Sequence, residues 1–244
     1  MTLRDRFLGS KFGLVWAIAS PVMMLSIFTF VFGFVFRSKL PGSESSLAYV
    51  IWLVSGYGPW LAISEGVMTA TTSVTSSAQL VKNMKFKYEL LPIAGGIMGL
   101  VPLAVAVGYL TVLMFFEGIY PAWSWTILPI VVVIQFILIS GIGFFFAALN
   151  VFVRDIQHVL PNLLLIVMFS SPIFYAITAF PSIVQKPMAY NPIYLLAEAY
   201  RQPLLYGVMP PVWTLFYIAI IAAVLFVAGL VMFRRLSFHF ESQL

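Results

Sequence analysis

Residues 150–178 read NVFVRDIQHVLPNLLLIVMFSSPIFYAIT, in which the charged pair Arg154-Asp155 lies between two apolar runs. A proline inside a helix removes a hydrogen bond, and soluble helices rarely tolerate it. A membrane helix can retain the proline where neighbouring helices, hydroxyls or water satisfy the freed carbonyl. Two serines precede Pro172 and offer such hydroxyls. The stretch predicts a charged turn followed by a membrane helix kinked at Pro172, although a plain loop joining two spans, with an ordinary kink, fits these residues equally.

The composition of the chain indicates a protein whose solvent is lipid. Of its 244 residues, 62% are hydrophobic and 9% are charged, whereas soluble domains average about 25% charged residues. There are no cysteines, which excludes disulfides and thiolate metal sites. His158 and His239 lie too far apart in sequence to indicate a local metal motif, so no metal site is predicted. The first apolar run is long enough to span and lacks a small-residue cleavage site, so we expect the N-terminus to be retained in the cytoplasm.

Six apolar runs are long enough to cross a bilayer, which needs about 20 residues in a helix. The predicted spans are residues 14–36, 48–70, 91–116, 126–150, 160–178 and 212–233. Residues 1–13 carry Arg4, Arg6 and Lys11 and predict either an interfacial helix or a positive flank that only sets topology. Gly95 and Gly99 have the spacing that permits close helix contact. The predicted fold is therefore a single all-α integral membrane domain over residues 1–244.

Residues 179–211 contain six prolines and are too charged to span. Asn191-Pro192 is typical of a helix N-cap followed by proline at the first helical position. An apolar stripe follows at helical spacing, and Tyr194, Glu198 and Arg201 are predicted to lie on the other side. We therefore expect a short re-entrant or surface helix pair on the external side, between spans five and six.

The basic residues favour one orientation. With the N-terminus inside, nine of them are cytoplasmic, namely Arg4, Arg6, Lys11, Lys82, Lys85, Lys87, Arg154, Arg234 and Arg235. Four are external, namely Arg37, Lys39, Lys186 and Arg201. Since cytoplasmic loops carry the excess of Lys and Arg, both termini are expected in the cytoplasm.

The sequence has no motif for energy conversion of its own. It contains no G-x-x-x-x-G-K-[ST] phosphate loop, dinucleotide fingerprint or zinc motif. Proton-coupled transport needs ionisable groups within spans, and Glu65 is the one marginal candidate. A transporter of this layout would take its energy from a partner at the loops after spans two and four. Segment 76–90 is basic and partly apolar, which fits a partner-binding surface helix or a simple positive-inside loop.

Five motifs, in order along the chain, resemble the membrane subunit of ABC-2-type exporters of O-antigen, capsular polysaccharide or teichoic acid. They are Arg4-x-Arg6 with Gly9-Ser10-x-x-Gly13-Leu14-x-Trp16 and Pro21; Ser55-Gly56-x-x-x-Trp60 with Ser64-Glu65; Leu80-Val81-Lys82 with Phe86 and Leu91-Pro92; Arg154-Asp155 with Ser171-Pro172-Ile173 and Tyr175; and Asn191-Pro192 with Glu198, Tyr200 and Arg201. One departure is Lys87, where the family often has proline.

The resemblance implies a homodimer with two ATP-binding subunits, in a bacterial inner membrane. ATP and Mg would be bound by those partners, and no cofactor by this chain. The residues expected to couple to the ATPase are Leu80, Lys82, Lys85, Phe86, Arg154 and Asp155. The helices of residues 179–211, with Tyr194, Glu198 and Arg201, would lie on the outer face.

The resemblance also implies a substrate, an undecaprenyl-pyrophosphate-linked glycan that passes along the dimer axis. Its pyrophosphate would meet the basic residues Arg4, Arg6 and Lys11. Sugar rings stack on aromatic faces, so Trp16, Tyr49, Trp52 and Trp60 are candidate channel-lining residues; lipid contact or packing explains any one of them equally. Membrane lipids are expected partners, and nucleic acid is not.

Two other functions fit the same composition. One is a permease for a small lipid or drug on the same scaffold, which the resemblance alone disfavours. The other is an integral membrane enzyme acting on lipid-linked sugars, which needs acids or histidines clustered near the interface. The eight acids are dispersed along the chain instead. A neighbouring coding sequence for an ATPase subunit would favour export.

Overall fold

The computed structural model describes residues 15–40, 45–83 and 86–243, and among these the regular structure is helical, without strands. Its helices, in chain order, are α1 (Val15–Phe28), α2 (Ser46–Ser76), α3 (Ala78–Asn83), α4 (Leu90–Met98), α5 (Leu100–Phe116), α6 (Leu128–Phe152), α7 (Ile156–Ser170), α8 (Ser182–Met188), α9 (Pro192–Leu205), α10 (Val212–Ser237) and α11 (Phe240–Gln243). The predicted all-α membrane fold class is confirmed. The predicted interfacial helix, with Arg4, Arg6 and Lys11, lies outside the described residues, as does Lys85.

Five stretches of the described chain are long and apolar enough to cross a membrane. They are Val15–Val35, Ser46–Ser76, Leu90–Phe116, Trp123–Phe152 and Val212–Ser237. The first continues α1 as a π-helix over Thr29–Val35, and the third combines α4 and α5, which meet at Gly99. The second span is longer than predicted, and in its polar part the hydroxyls of Thr71, Ser73 and Thr75 donate to backbone carbonyls three or four residues earlier.

The fifth span differs from the prediction of residues 160–178. Helix α7 begins directly after Asp155 and ends at Ser170, so its 15 residues measure about 22 Å at 1.5 Å per residue. The prediction of a kink at Pro172 inside a helix was wrong. Proline disfavours helical geometry in the residue before it, and Ser171 is extended, with φ −97° and ψ 143°.

Helix α2 is the centre of the bundle, because it contacts α4, α5, α6, α7 and α9. Glycines allow the closest approaches, as predicted for Gly95 and Gly99. A Cβ on Gly95 would lie 2.6 Å from the Cα of Ala70, and one on Gly99 would lie 2.9 Å from the Cα of Gly66. Helix α10 packs on α6 in the same way, since a Cβ on Gly141 would lie 2.6 Å from the carbonyl carbon of Leu225. These contacts hold the spans together by backbone-level packing.

One end of the bundle brings together α3, the beginning of α4, the turn between α6 and α7, and the chain after Phe233. Its described basic residues are Lys82, Lys87, Arg154, Arg234 and Arg235, and we call it the basic end. Two short helices, α8 and α9, lie between α7 and α10 in the chain, where the sequence predicts two. In contrast to α2, helix α1 buries only Leu25, so most of its apolar surface is exposed.

Candidate functional site

The two loops predicted to meet a partner lie side by side at the basic end. Helix α3 buries Val81 and exposes Leu80 and Lys82. Arg154 and Asp155 are also exposed, in the turn between α6 and α7. The structure therefore brings together two segments that are about 70 residues apart in sequence.

A groove of about 430 Å³ joins the two loops. Its lining includes Thr72, Thr75, Ser76, Ala78, Asn150, Arg154 and Gln157. Arg154 is the one charged side chain in this lining, so the groove is polar and positive.

Buried Asn150 supports the wall of this groove. Its Nδ2 donates to the carbonyl of Thr71 and to the hydroxyl of Thr75, each at 3.3 Å. These two bonds tie the end of α6 to the end of α2, whereas the buried Oδ1 of Asn150 has no hydrogen-bond partner among the described residues. Asn150 is not among the site residues predicted from the sequence, although an Asn at the end of an apolar span is a visible signal.

Phe86 and Glu89 follow the segment that contains Lys85. The half-buried ring of Phe86 packs edge-on against Tyr88, with ring centroids 5.2 Å apart. Glu89 accepts a hydrogen bond from Nε of Arg234 at 2.9 Å. Burial raises the pKa of Glu89, but its backbone hydrogen bond and Arg234 outweigh this, so the pKa lies below the ordinary value. This ion pair ties the end of α10 to the turn before α4.

Arg201 is the centre of a group of buried polar contacts away from the basic end. The structure places this residue differently from the prediction. Periodicity put it on the polar side of α9, among the external bases, but its side chain is fully buried. The guanidinium donates to the carbonyl of Ile173 at 2.7 Å and to Glu198 at 2.9 Å. It also lies 3.8 Å above the ring of Trp52. A buried charge needs such partners, and tertiary contacts supply them here.

Gly56 provides the space that Arg201 occupies. A Cβ at Gly56 would lie 2.8 Å from Cζ of Arg201 and closer still to Nη2. The carbonyls of Pro172 and Ile173 stand in the non-helical segment after α7, where no helix can bond them. Arg201 donates to both of them, at 3.5 and 2.7 Å. Arg201 therefore makes the break after α7 compatible with a buried position.

Asn191 caps α9 as the sequence predicts. Its Oδ1 accepts from the backbone N–H groups of Ile193 at 2.9 Å and Tyr194 at 3.4 Å. Its Nδ2 donates to the hydroxyl of Ser171 at 3.1 Å. Tyr194 and Glu198 are half-buried. The cap therefore anchors the beginning of α9 to the chain just after α7.

The four candidate channel-lining residues occupy different surroundings. Trp52 and Trp60 are buried within the subunit, and the Trp52 ring packs under Arg201. Tyr49 is half-buried and donates to the carbonyl of Phe174 at 2.8 Å, whereas Trp16 is exposed. Channel lining stays a prediction for all four, and burial favours a packing role for the first two.

Aromatic rings continue from Tyr49 along the inner side of the first span, Val15–Val35. Phe32 lies 6.0 Å from Tyr49 between ring centroids, and Phe28 lies 6.1 Å from Phe32. Phe28 in turn contacts Tyr57 at 4.8 Å and Phe174 at 5.5 Å. The sequence shows the aromatic content but not this continuity, which depends on how α1, α2 and the segment after α7 pack.

Among the described residues, no three His, Asp or Glu side chains lie close enough together to hold a metal ion. Glu65 accepts from the hydroxyl of Thr69 at 3.1 Å, and both residues belong to the same helix.

Comparison with known proteins gives consistent results. The family described as "ABC-2 type transporter" matches residues 2–205. The chain is 26% identical to the O-antigen export system permease protein RfbA of Klebsiella pneumoniae, over 98% of this chain and 90% of that protein. It is 25% identical to RfbA of Myxococcus xanthus, over 82% and 75%. It is 23% identical to the polysialic acid transport protein KpsM of Escherichia coli, over 95% and 89%.

Proposed function

Because the chain belongs to the ABC-2 type transporter family, and is thus a multi-pass transport component rather than an enzyme, we propose that it exports a lipid-linked polysaccharide across a bacterial inner membrane. One observation carries the substrate class. Relatives that align with more than four fifths of this chain are named as permeases or transport proteins for O-antigen and polysialic acid. The expected cargo is an undecaprenyl-pyrophosphate-linked glycan.

The energy enters at the basic end, through an ATP-binding partner that binds ATP and Mg. Leu80 gives this surface an apolar contact, and Lys82 and Arg154 give it positive charge. An acidic or amide side chain of the partner enters the groove beside Arg154, because Arg is the preferred residue for carboxylate recognition. Movement of α3 then reaches α2 and α4, to which its two ends connect.

Two copies of the chain form the transport pathway. Helix α1 buries only one side chain, and its remaining apolar surface is available to lipid and to the second copy. Sugar rings stack on aromatic side chains, and the rings that can contact them here are those of Tyr49, Phe32, Phe28, Tyr57 and Phe174. Arg4, Arg6 and Lys11 remain the proposed contacts of the pyrophosphate.

The basic end faces the cytoplasm in this proposal, with both chain termini on that side. The positive-inside rule supports this orientation. Because Arg201 is buried, it no longer counts among the exposed basic residues on the external side. Labelling of single cysteines in intact cells tests the orientation, since the chain has no native cysteine. A cysteine at Lys186 should react with an impermeant reagent, and one at Arg235 should not.

The docking role is tested by reversing charge at the basic end. Lys82→Glu and Arg154→Glu should lower both the amount of ATP-binding subunit that co-purifies and the export of glycan to the cell surface. The matched control is Lys186→Glu, which reverses an exposed charge at the opposite end. Full export by both basic-end variants, at equal membrane levels, would contradict the proposed docking surface.

The substrate is tested in the reconstituted complex with its ATP-binding subunit. An undecaprenyl-pyrophosphate-linked glycan should stimulate ATP hydrolysis, and undecaprenyl pyrophosphate without sugar should stimulate it less. Stimulation by small amphipathic drugs, with none by the glycan, would instead support a permease for small molecules.

A further inference from the structure

Phe240 lies in the last described helix, and its side chain is fully buried at the basic end. Phe238, two positions earlier, is 86% exposed. The ring of Phe240 packs against Phe233 at 5.2 Å and against Phe152 at 6.1 Å, measured between ring centroids. The burial of Phe240 beside exposed Phe238 indicates that specific packing holds its ring.

The helix that begins at Phe240 lies against both parts of the proposed docking surface. This short helix, α11, touches α3 and also α6. Phe240 shares one apolar cluster with Val81 of α3 and Val151 of α6. Phe152 is two residues before Arg154, so the ring of Phe240 reaches the base of the Arg154 turn. The apolar cluster that contains Phe240 therefore links two loops that are not neighbours in sequence.

Helix α3 needs this support because it is only six residues long. A helix of that length is marginal in isolation, so its position must come from packing. Val81 is its one buried residue, and the apolar cluster around Phe240 receives it. The neighbouring ion pair between Arg234 and Glu89, at 2.9 Å, fixes the same part of the C-terminal segment to the turn before α4.

We propose that the C-terminal segment, residues 234–243, positions the docking surface, with Phe240 as its principal positioning residue. Phe240 holds α3 at a fixed distance from the Arg154 turn, so that a partner meets both loops in one arrangement. This segment lies beyond residues 2–205, the part that the family match covers. The inference rests on the proposed function for the meaning of that arrangement, but the geometry can be measured without the partner.

The geometric test places spin labels on the two loops of the full-length chain in lipid nanodiscs. Asn83 of α3 and His158 of α7 are both exposed, and no native cysteine competes for the label. Asn83→Cys with His158→Cys should give a narrow distance distribution by pulsed electron paramagnetic resonance. Adding Phe240→Ala should broaden it, Phe240→Leu should broaden it less, and the matched control Phe238→Ala should leave it unchanged.

The second measurement is the affinity of the ATP-binding subunit for the unlabelled full-length chain in the same nanodiscs. If Phe240→Ala leaves about a tenth of the molecules in the competent arrangement, the apparent dissociation constant rises about tenfold. Phe238→Ala should not change it.

The two measurements separate the inference from the function on which it rests. Unchanged distances in the Phe240→Leu variant, which keeps an apolar side chain, and in Phe240→Ala would overturn the inference. Broad distances with unchanged partner affinity would support the positioning role and would overturn the assignment of these loops as the docking surface.

Discussion

Replacing Gly56 by alanine should destabilise the protein, although alanine normally favours a helix. In a helix interior, Gly→Ala is worth about 0.5–1 kcal/mol of added stability. At Gly56 the added Cβ would lie 2.8 Å from Cζ of Arg201, whereas carbon atoms in good contact lie about 3.5–4.0 Å apart. Either the backbone of α2 shifts or the guanidinium leaves its position.

Neither response is without cost. Overpacking of a core costs about 1–3 kcal/mol, and the guanidinium is held on its other sides. It donates to the carbonyl of Ile173 at 2.7 Å, to the carboxylate of Glu198 at 2.9 Å and to the backbone carbonyl of Trp52 at 3.3 Å. Losing one hydrogen bond to a charged group costs about 1.5–3 kcal/mol. The less costly response decides the outcome, so after the helix-propensity gain is subtracted we expect a loss of up to about 2.5 kcal/mol.

The assay is unfolding of the purified protein from mild detergent by increasing dodecyl sulfate, followed by tryptophan fluorescence. The matched control is Gly108→Ala in α5, because a Cβ there would meet nothing within 4 Å. Gly108→Ala should be neutral or slightly stabilising. In an Arg201→Met background the penalty of Gly56→Ala should fall, which gives a coupling of about 0.5–3 kcal/mol. Equal stability of the two alanine variants would refute the reasoning.

The remaining predictions concern other contacts. Gly99→Val should destabilise more than Gly99→Ala, because the Cβ already lies 2.9 Å from the Cα of Gly66; unfolding in dodecyl sulfate measures both, and equal stabilities would contradict the close contact. Asn191→Ala should cost about 1 kcal/mol through the lost cap, whereas Asn191→Ser should retain most of it in the same assay. The stability from Glu89 should be complete above about pH 4.3, its ordinary pKa, and be lost as the pH falls through its lower folded-state pKa; melting temperatures of the wild type and Glu89→Gln should therefore converge in acid. A gap that persists there would show that the lost contact is not ionic.

The amino-acid sequence alone determined the membrane class, most of the spans and the cap at Asn191. Apolar runs of about 20 residues and an Asn-Pro pair act locally, so they need no knowledge of neighbouring helices. The glycine spacing of Gly95 and Gly99 also predicted close packing correctly. The bounds of the fifth span were wrong although the local signal was present, since the residue before Pro172 leaves helical geometry.

Only the tertiary structure decided where Arg201 and Phe240 lie. Helical periodicity places Arg201 on the polar side of α9, and nothing along α9 shows that Gly56 leaves room for a guanidinium in a distant helix. Phe238 and Phe240 are the same residue type two positions apart, yet Phe238 is exposed and Phe240 is buried. Burial of a side chain depends on surfaces that residues far along the chain supply, and periodicity within one segment carries no information about them.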